Sequence, residues 1–84
     1  MMFHKVKAVQ PLPDCCLRVQ FAEGETKIYD VKPLFDRWPV FRRFESDPAL
    51  FSSVQVDTGG YGILWNDALD LSCNELYAFG QPGD

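Results

Sequence analysis

The sequence predicts an α+β domain: an antiparallel sheet of about five strands with short helices on one face. Three observations carry this. Apolar and polar residues alternate with period two over several stretches, as in half-buried strands. Clusters of Gly, Pro, Asn and Asp separate those stretches as turns do. Helix-start signals occur near Pro33, Pro48 and Ser72, each with too few residues after it for a long helix. With 84 residues, 46% of them apolar and 14% aromatic, the chain is globular in composition and too short for two cores, so residues 1–84 read as a single domain. At this size apolar burial and ordering entropy nearly cancel, and self-association would add to a thin margin of stability.

The first strand spans residues 3–10, with Val6 and Ala8 on one side and Lys5 and Lys7 on the other. Pro11-Leu12-Pro13-Asp14 is expected to end it, because prolines lack the ladder donor and Asp favours a turn. Leu17, Val19 and Phe21 then alternate with Arg18, Gln20 and Ala22. The Ala22-Glu23-Gly24-Glu25 turn leads into a third strand over residues 26–31, giving a meander. Pro33, Leu34 and Phe35 suggest a helical turn with Asp30 as its cap, kept short by Pro39. Ser46 or Asp47 caps a second short helix with Pro48 in its first turn. Val54 and Val56, Thr58-Gly59-Gly60, and Tyr61, Ile63 and Trp65 form the clearest hairpin, its glycines free to take positive φ. Asn66-Asp67 breaks that run, residues 68–71 add a brief edge strand, and Ser72 with Glu75 forms a capping box for a last helix over residues 76–79. Gly80 and Pro82 stop it, and no further element is expected after them. The expected core comprises Leu17, Val19, Phe21, Ile28, Val54, Val56, Ile63, Trp65 and Leu76.

No stretch approaches the ~20 apolar residues of a membrane helix, and the first ten residues lack a signal-peptide core, so a cytoplasmic location is expected. Cys15, Cys16 and Cys73 make an odd count without disulfide or zinc-ligand spacing, which fits reduced, buried or incidental thiols.

Catalytic signals are missing. The single histidine, His4, stands in the first strand, and no glycine-bracketed serine elbow occurs, so no nucleophile–base pair is legible. Asp67 and Asp70 have a spacing that a divalent cation or an acid/base pair would suit, but a turn and a helix start explain both. Gly59-Gly60-Tyr61-Gly62 is flanked by strands, whereas a phosphate cradle opens a helix. The expectation is a non-enzyme with no cofactor, no metal and no catalytic residues.

Charge is distributed unevenly. Residues 1–44 hold all eight Lys and Arg against five acids, a net +3, and residues 45–84 hold seven acids and no base, a net −7; together they give the overall −4. Such asymmetry hints at interaction, although strands from both halves interleaving in the fold would average it away. Within the basic half Lys32, Arg37, Arg42 and Arg43 interleave with Phe35, Trp38, Phe41 and Phe44, a mixture suited to protein interfaces. One or two of these aromatics are expected to lid the core and the others to stay near the surface. Lys32, Arg37, Trp38, Arg42 and Arg43 are the candidate partner-binding residues, with Trp38 and Arg42 as anchors. An acidic chain lacking a helix-turn-helix pattern argues against direct nucleic-acid binding.

Several segments in order resemble the bacterial domain-of-unknown-function family 2442 over nearly the whole chain. They are Leu17-Arg18-Val19-Gln20-Phe21-Ala22-Glu23-Gly24-Glu25, Ile28-Tyr29-Asp30-Val31-Lys32-Pro33-Leu34, Leu50-Phe51-Ser52-Ser53-Val54, and Gly60-Tyr61-Gly62-Ile63-Leu64-Trp65-Asn66-Asp67-Ala68-Leu69-Asp70-Leu71 followed by Glu75-Leu76-Tyr77. The resemblance implies a small α+β fold, relatives that stand alone or carry a following helix-turn-helix, and gene settings suggestive of toxin–antitoxin pairs. It brings no catalytic residues. With Asp84 as its last residue the sequence is expected to lack the DNA-reading extension of the longer relatives, and it has Ser72-Cys73-Asn74 where relatives often place a proline and an acid after the cysteine. The functional expectation is a non-catalytic protein-interaction or regulatory module, an antitoxin-like partner of a toxin encoded nearby that also forms a homodimer. The alternative is a ligand-sensing regulatory domain, which would need an apolar cavity.

Overall fold

A computed structural model describes residues 4–83. It is an α+β fold in which the strands divide between two antiparallel sheets. The first sheet has the order β1-β2-β3-β7, from β1 (Val6–Leu12), β2 (Cys16–Phe21), β3 (Thr26–Asp30) and β7 (Gln81–Pro82). The second has the order β4-β5-β6, from β4 (Gln55–Val56), β5 (Gly62–Asn66) and β6 (Leu69–Ser72). Five of these strands have four residues or more; β4 and β7 have two each. Between the sheets in sequence lie α1 (Leu34–Arg37), a 3₁₀ turn over Pro39–Arg42, α2 (Arg43–Ser46) and α3 (Pro48–Ser52), and α4 (Cys73–Phe79) follows β6.

The meander forms as the alternation requires. Leu17, Val19 and Phe21 are all but fully buried, and Gln20 is exposed. Val6 is buried while Lys5 and Lys7 face water; Phe3, the expected start of this strand, lies outside the described residues. Pro11 does not end β1, which runs on to pair Pro11 with Leu17 and Leu12 with Cys16. As β1 is an edge strand of its sheet, a missing donor on its open side breaks no ladder bond. The reversal falls instead at Pro13–Cys15, where Asp14 and Cys15 take φ of 62° and 57°. The chain after Gly80 also packs, contrary to expectation: β7 pairs Gln81 with Ile28 and Pro82 with Lys27, covering the β3 edge.

The glycine hairpin joins the two sheets. Gly59 and Gly60 take φ of 90° and 79°, and the Val6 amide donates to the Gly60 carbonyl at 2.8 Å. A Cβ on Gly60 would lie 2.7 Å from the Val6 carbonyl oxygen, and one on Gly62 would lie 2.3 Å from that of Leu71, so both close approaches require glycine.

One hydrophobic core runs through the molecule. At its second-sheet end, the Trp65 ring meets Phe44 at 4.7 Å, Phe51 at 6.1 Å and Phe41 at 6.2 Å between centroids. The indole N–H, buried there, donates to the Phe51 carbonyl at 3.0 Å, which meets the need of a buried polar tip. Of the expected core, Ile28, Val54 and Val56 are half-buried rather than buried. Two helices use the anticipated caps: in α3 Asp47 Oδ1 accepts from the Leu50 amide at 3.1 Å, and in α4 Ser72 Oγ accepts from the Glu75 amide at 3.1 Å. Asp30 does not cap α1: the N-cap position is Pro33, with no side-chain bond, and Asp30 Oδ1 accepts from the Lys32 amide at 3.0 Å ahead of the helix.

Candidate functional site

The aromatic-arginine segment is split by depth. Phe35, Phe41 and Phe44 are buried, three residues where one or two were expected, and Trp38 is 44% exposed. The cause is local: α1 ends at Trp38, whose φ of −134° and ψ of 93° are extended, and Pro39 then opens a 3₁₀ turn. The break swings Trp38 outward and returns Phe41 and Phe44 to the core.

Trp38 lines one of two surface grooves. One, of about 340 Å³, lies between Trp38, Val40 and Phe41 on one wall and Asp70, Leu71 and Ser72 of β6 on the other. The second, of about 450 Å³, is bounded by Ile28, Tyr29, Arg37, Phe79 and Gln81. Glu75 borders both. The large apolar side chains left exposed include Trp38, Val40 and Phe79, at 44%, 41% and 66%, so three of them line these grooves. Trp38 and Val40 line the first groove and Phe79 the second; large apolar side chains exposed along a groove, rather than scattered singly, mark an interaction surface.

The expected cationic residues are placed unequally around it. The Arg37 guanidinium stacks over the Trp38 ring at 4.4 Å, presenting an aromatic and a cation side by side. Arg42 is already engaged: it binds Asp36 at 2.7 Å and Glu45 at 3.3 Å. Those are exposed pairs of small energetic weight, but they hold the guanidinium to its own chain and lower its standing as an anchor. Lys32 lines neither groove and is bonded to Asp30 at 2.9 Å and to the Asp14 carbonyl; the Asp30 contact raises its pKa. Arg43 is exposed in α2 and lines neither groove. Of the five candidates, then, the structure brings Arg37 and Trp38 together and leaves Lys32, Arg42 and Arg43 outside.

Sequence reasoning missed Val40, Phe79 and Glu75. Glu75 was placed in a capping box, yet its carboxylate turns from Ser72 to accept from the Tyr29 hydroxyl at 2.8 Å. Burial and then this bond raise the Tyr29 pKa. Val40 carried a signal, since an apolar residue between proline and a core Phe on a one-turn segment has no second face on which to hide. Phe79, three residues beyond the buried Leu76, looks inward by helical spacing; α4 stops at it before the turn closes on the core.

Of the residues weighed for chemistry, His4 is held by two neighbours. His4 stacks on Tyr77 at 3.5 Å and bonds Glu23 at 2.6 Å. Cys73 is buried, and burial raises the Cys15 pKa. Asp67 and Asp70 are exposed; the turn between β5 and β6 is closed by Asn66 Oδ1, which accepts from the amides of Ala68 at 2.8 Å and Leu69 at 3.0 Å. Among the described residues no three His, Cys, Asp or Glu side chains converge as a metal site would need. No helix among them is long and apolar enough to cross a membrane.

Comparison with known proteins agrees with the sequence resemblance. A family described as "Protein of unknown function (DUF2442)" matches residues 6–82. A segment of 33 residues is 46% identical to part of ATP synthase subunit b 1 of Rhodopirellula baltica, covering 39% of this chain and 13% of that protein. No solved structure matches.

Proposed function

We propose that this chain, which belongs to the DUF2442 family of proteins of unknown function, is a non-catalytic protein-interaction module whose partner docks on the Trp38 face. One observation carries the reading: Trp38 and Val40 are exposed along one groove, which shares Glu75 with the groove that Phe79 lines, and the Arg37 guanidinium is stacked on the indole. Tryptophan and arginine dominate binding energy when desolvated at an interface centre, because they bury much area at modest entropic cost. The preference for a protein partner over a small ligand rests on the exposed Trp38 and the Arg37 stacked on it, since protein interfaces are enriched in both residue types.

The partner to try first is the product of the neighbouring gene, in an antitoxin-like pairing of the kind the family's gene settings suggest. Co-expression followed by size-exclusion chromatography should give a stoichiometric complex, and the same run reports homodimerisation of the free chain. Folded Trp38→Ala should bind at least roughly 30-fold more weakly, the scale of a ~2 kcal/mol hot spot. No complex with the wild-type chain, or equal affinity for the variant, would remove the proposal.

A further inference from the structure

We infer that the free edge of β6 takes up an extended basic-apolar segment of the partner as a fourth strand of the β4-β5-β6 sheet. This deepens the Trp38-face reading and rests on it. Among the described residues β6 is the last strand of its sheet and pairs only with β5. Which of its backbone groups face outward follows from the register. The Cys73 amide donates to the Tyr61 carbonyl at 2.8 Å, and Ile63 stands opposite Leu71, with Gly62–Ser72 and Leu64–Asp70 between and beyond. Bonded and non-bonded pairs alternate along an antiparallel ladder, so Asp70 and Ser72 belong to the non-bonded set and their amides point away from β5.

Two further observations agree. Asp70 and Ser72 are on the wall of the Trp38 groove, so the open edge gives onto that groove rather than onto bulk surface. In a completed capping box Glu75 would reach back to the Ser72 amide; here the Glu75 carboxylate is bonded to Tyr29, and the Ser72 amide is left to a newcomer. An added strand can thus exchange both backbone bonds with Asp70 and take one more from Ser72, the main-chain pairing by which sheet edges bind extended peptides.

The groove also specifies the occupant's side chains. On the core side of β6, where Leu69 and Leu71 are buried, alternate residues of the added strand meet Val40, Phe41 and Trp38 and must be apolar. On the solvent side they stand across from Asp70, with no base anywhere in residues 45–84, so a Lys or Arg is favoured there. The same charge disfavours a second copy, whose β6 would bring its own acid to the edge.

The probe is a capped seven-residue peptide of alternating valine and lysine, with a valine–glutamate peptide as its counterpart, titrated into the ¹⁵N-labelled chain. The valine–lysine peptide should bind saturably, at least ~10-fold tighter than its counterpart, and should slow hydrogen exchange at the Asp70 and Ser72 amides. Asp70→Lys should invert the preference. Asp70→Pro deletes an outward-facing donor on an edge strand, where proline is tolerated, and should weaken both peptides. Absence of saturable binding, unchanged exchange at Asp70 and Ser72, or an uninverted preference in Asp70→Lys would overturn strand addition. The two readings separate in the gene-neighbour complex. Sensitivity to Trp38→Ala with none to Asp70→Lys or Asp70→Pro removes strand addition alone, and insensitivity to all three removes both.

Discussion

Replacing Phe44 and Trp38 each by leucine tests the depth split of the aromatic segment. Phe44 is 3% exposed and its ring lies 5.9 Å from Phe41, 5.1 Å from Phe51 and 4.7 Å from Trp65. Leucine keeps the site apolar but removes the three ring contacts and leaves a small void. With aromatic pairs contributing ~0.5–1.5 kcal/mol each and partial collapse of the site, Phe44→Leu should cost about 2 kcal/mol. Trp38→Leu gives up a stacking contact with Arg37 at an exposed position and a wider-spaced edge contact with Phe41, at 6.4 Å; about 0.5–1 kcal/mol is expected. For a urea slope of ~1.5 kcal/mol per molar, Phe44→Leu moves the unfolding midpoint down by roughly 1.3 M and Trp38→Leu by about half of that or less. Equal midpoint shifts, or a larger one for Trp38, would show that Trp38 is part of the core and would remove the surface on which the functional reading stands.

Alkaline pH should destabilise the chain through Tyr29. Its folded-state pKa is raised by burial and by the Glu75 bond, so its contribution is complete below the unfolded value of about 10 and is lost as pH rises from there toward the folded value. Urea midpoints compared at pH 8 and pH 10.5 should fall more in wild type than in Tyr29→Phe, and an equal fall would refute the coupling. Turn and cap residues should separate from their acidic neighbours in thermal melts. Ser72→Ala and Asn66→Ala, which lose bonds to the Glu75 amide and to the Ala68 and Leu69 amides, should each cost ~1 kcal/mol. Asp67→Ala and Asp70→Ala should stay within about 0.5 kcal/mol, whereas a large loss at Asp70 would show that its exposed side chain has a structural partner.

Much of the fold was legible because its signals are short-range. Alternation in Leu17, Val19 and Phe21 sets which face of β2 is buried whatever lies against it. The φ demanded at Gly59 and Gly60, and the caps Asp47 and Ser72, are settled within a few residues of chain. By itself the sequence thus determined the α+β class, the meander, the glycine hairpin and the places of the short helices. Tertiary structure decided the rest. Pro11 remains in β1 because that strand lies at a sheet edge, and residues 81–82 become a strand because β3 offers them one; neither neighbour can be read locally. The spacing of Phe35, Trp38, Phe41 and Phe44 is regular, but the extended turn at Trp38 puts one ring outside and three inside. Likewise Glu75 matches a capping box, and only the arrival of Tyr29 from a strand 46 residues away draws its carboxylate off. The candidate site depends on such meetings: the grooves exist where the ends of α1 and α4 come up against β3 and β6, and burial competes between partners whose identity is set by the whole packing rather than by their neighbours in the chain.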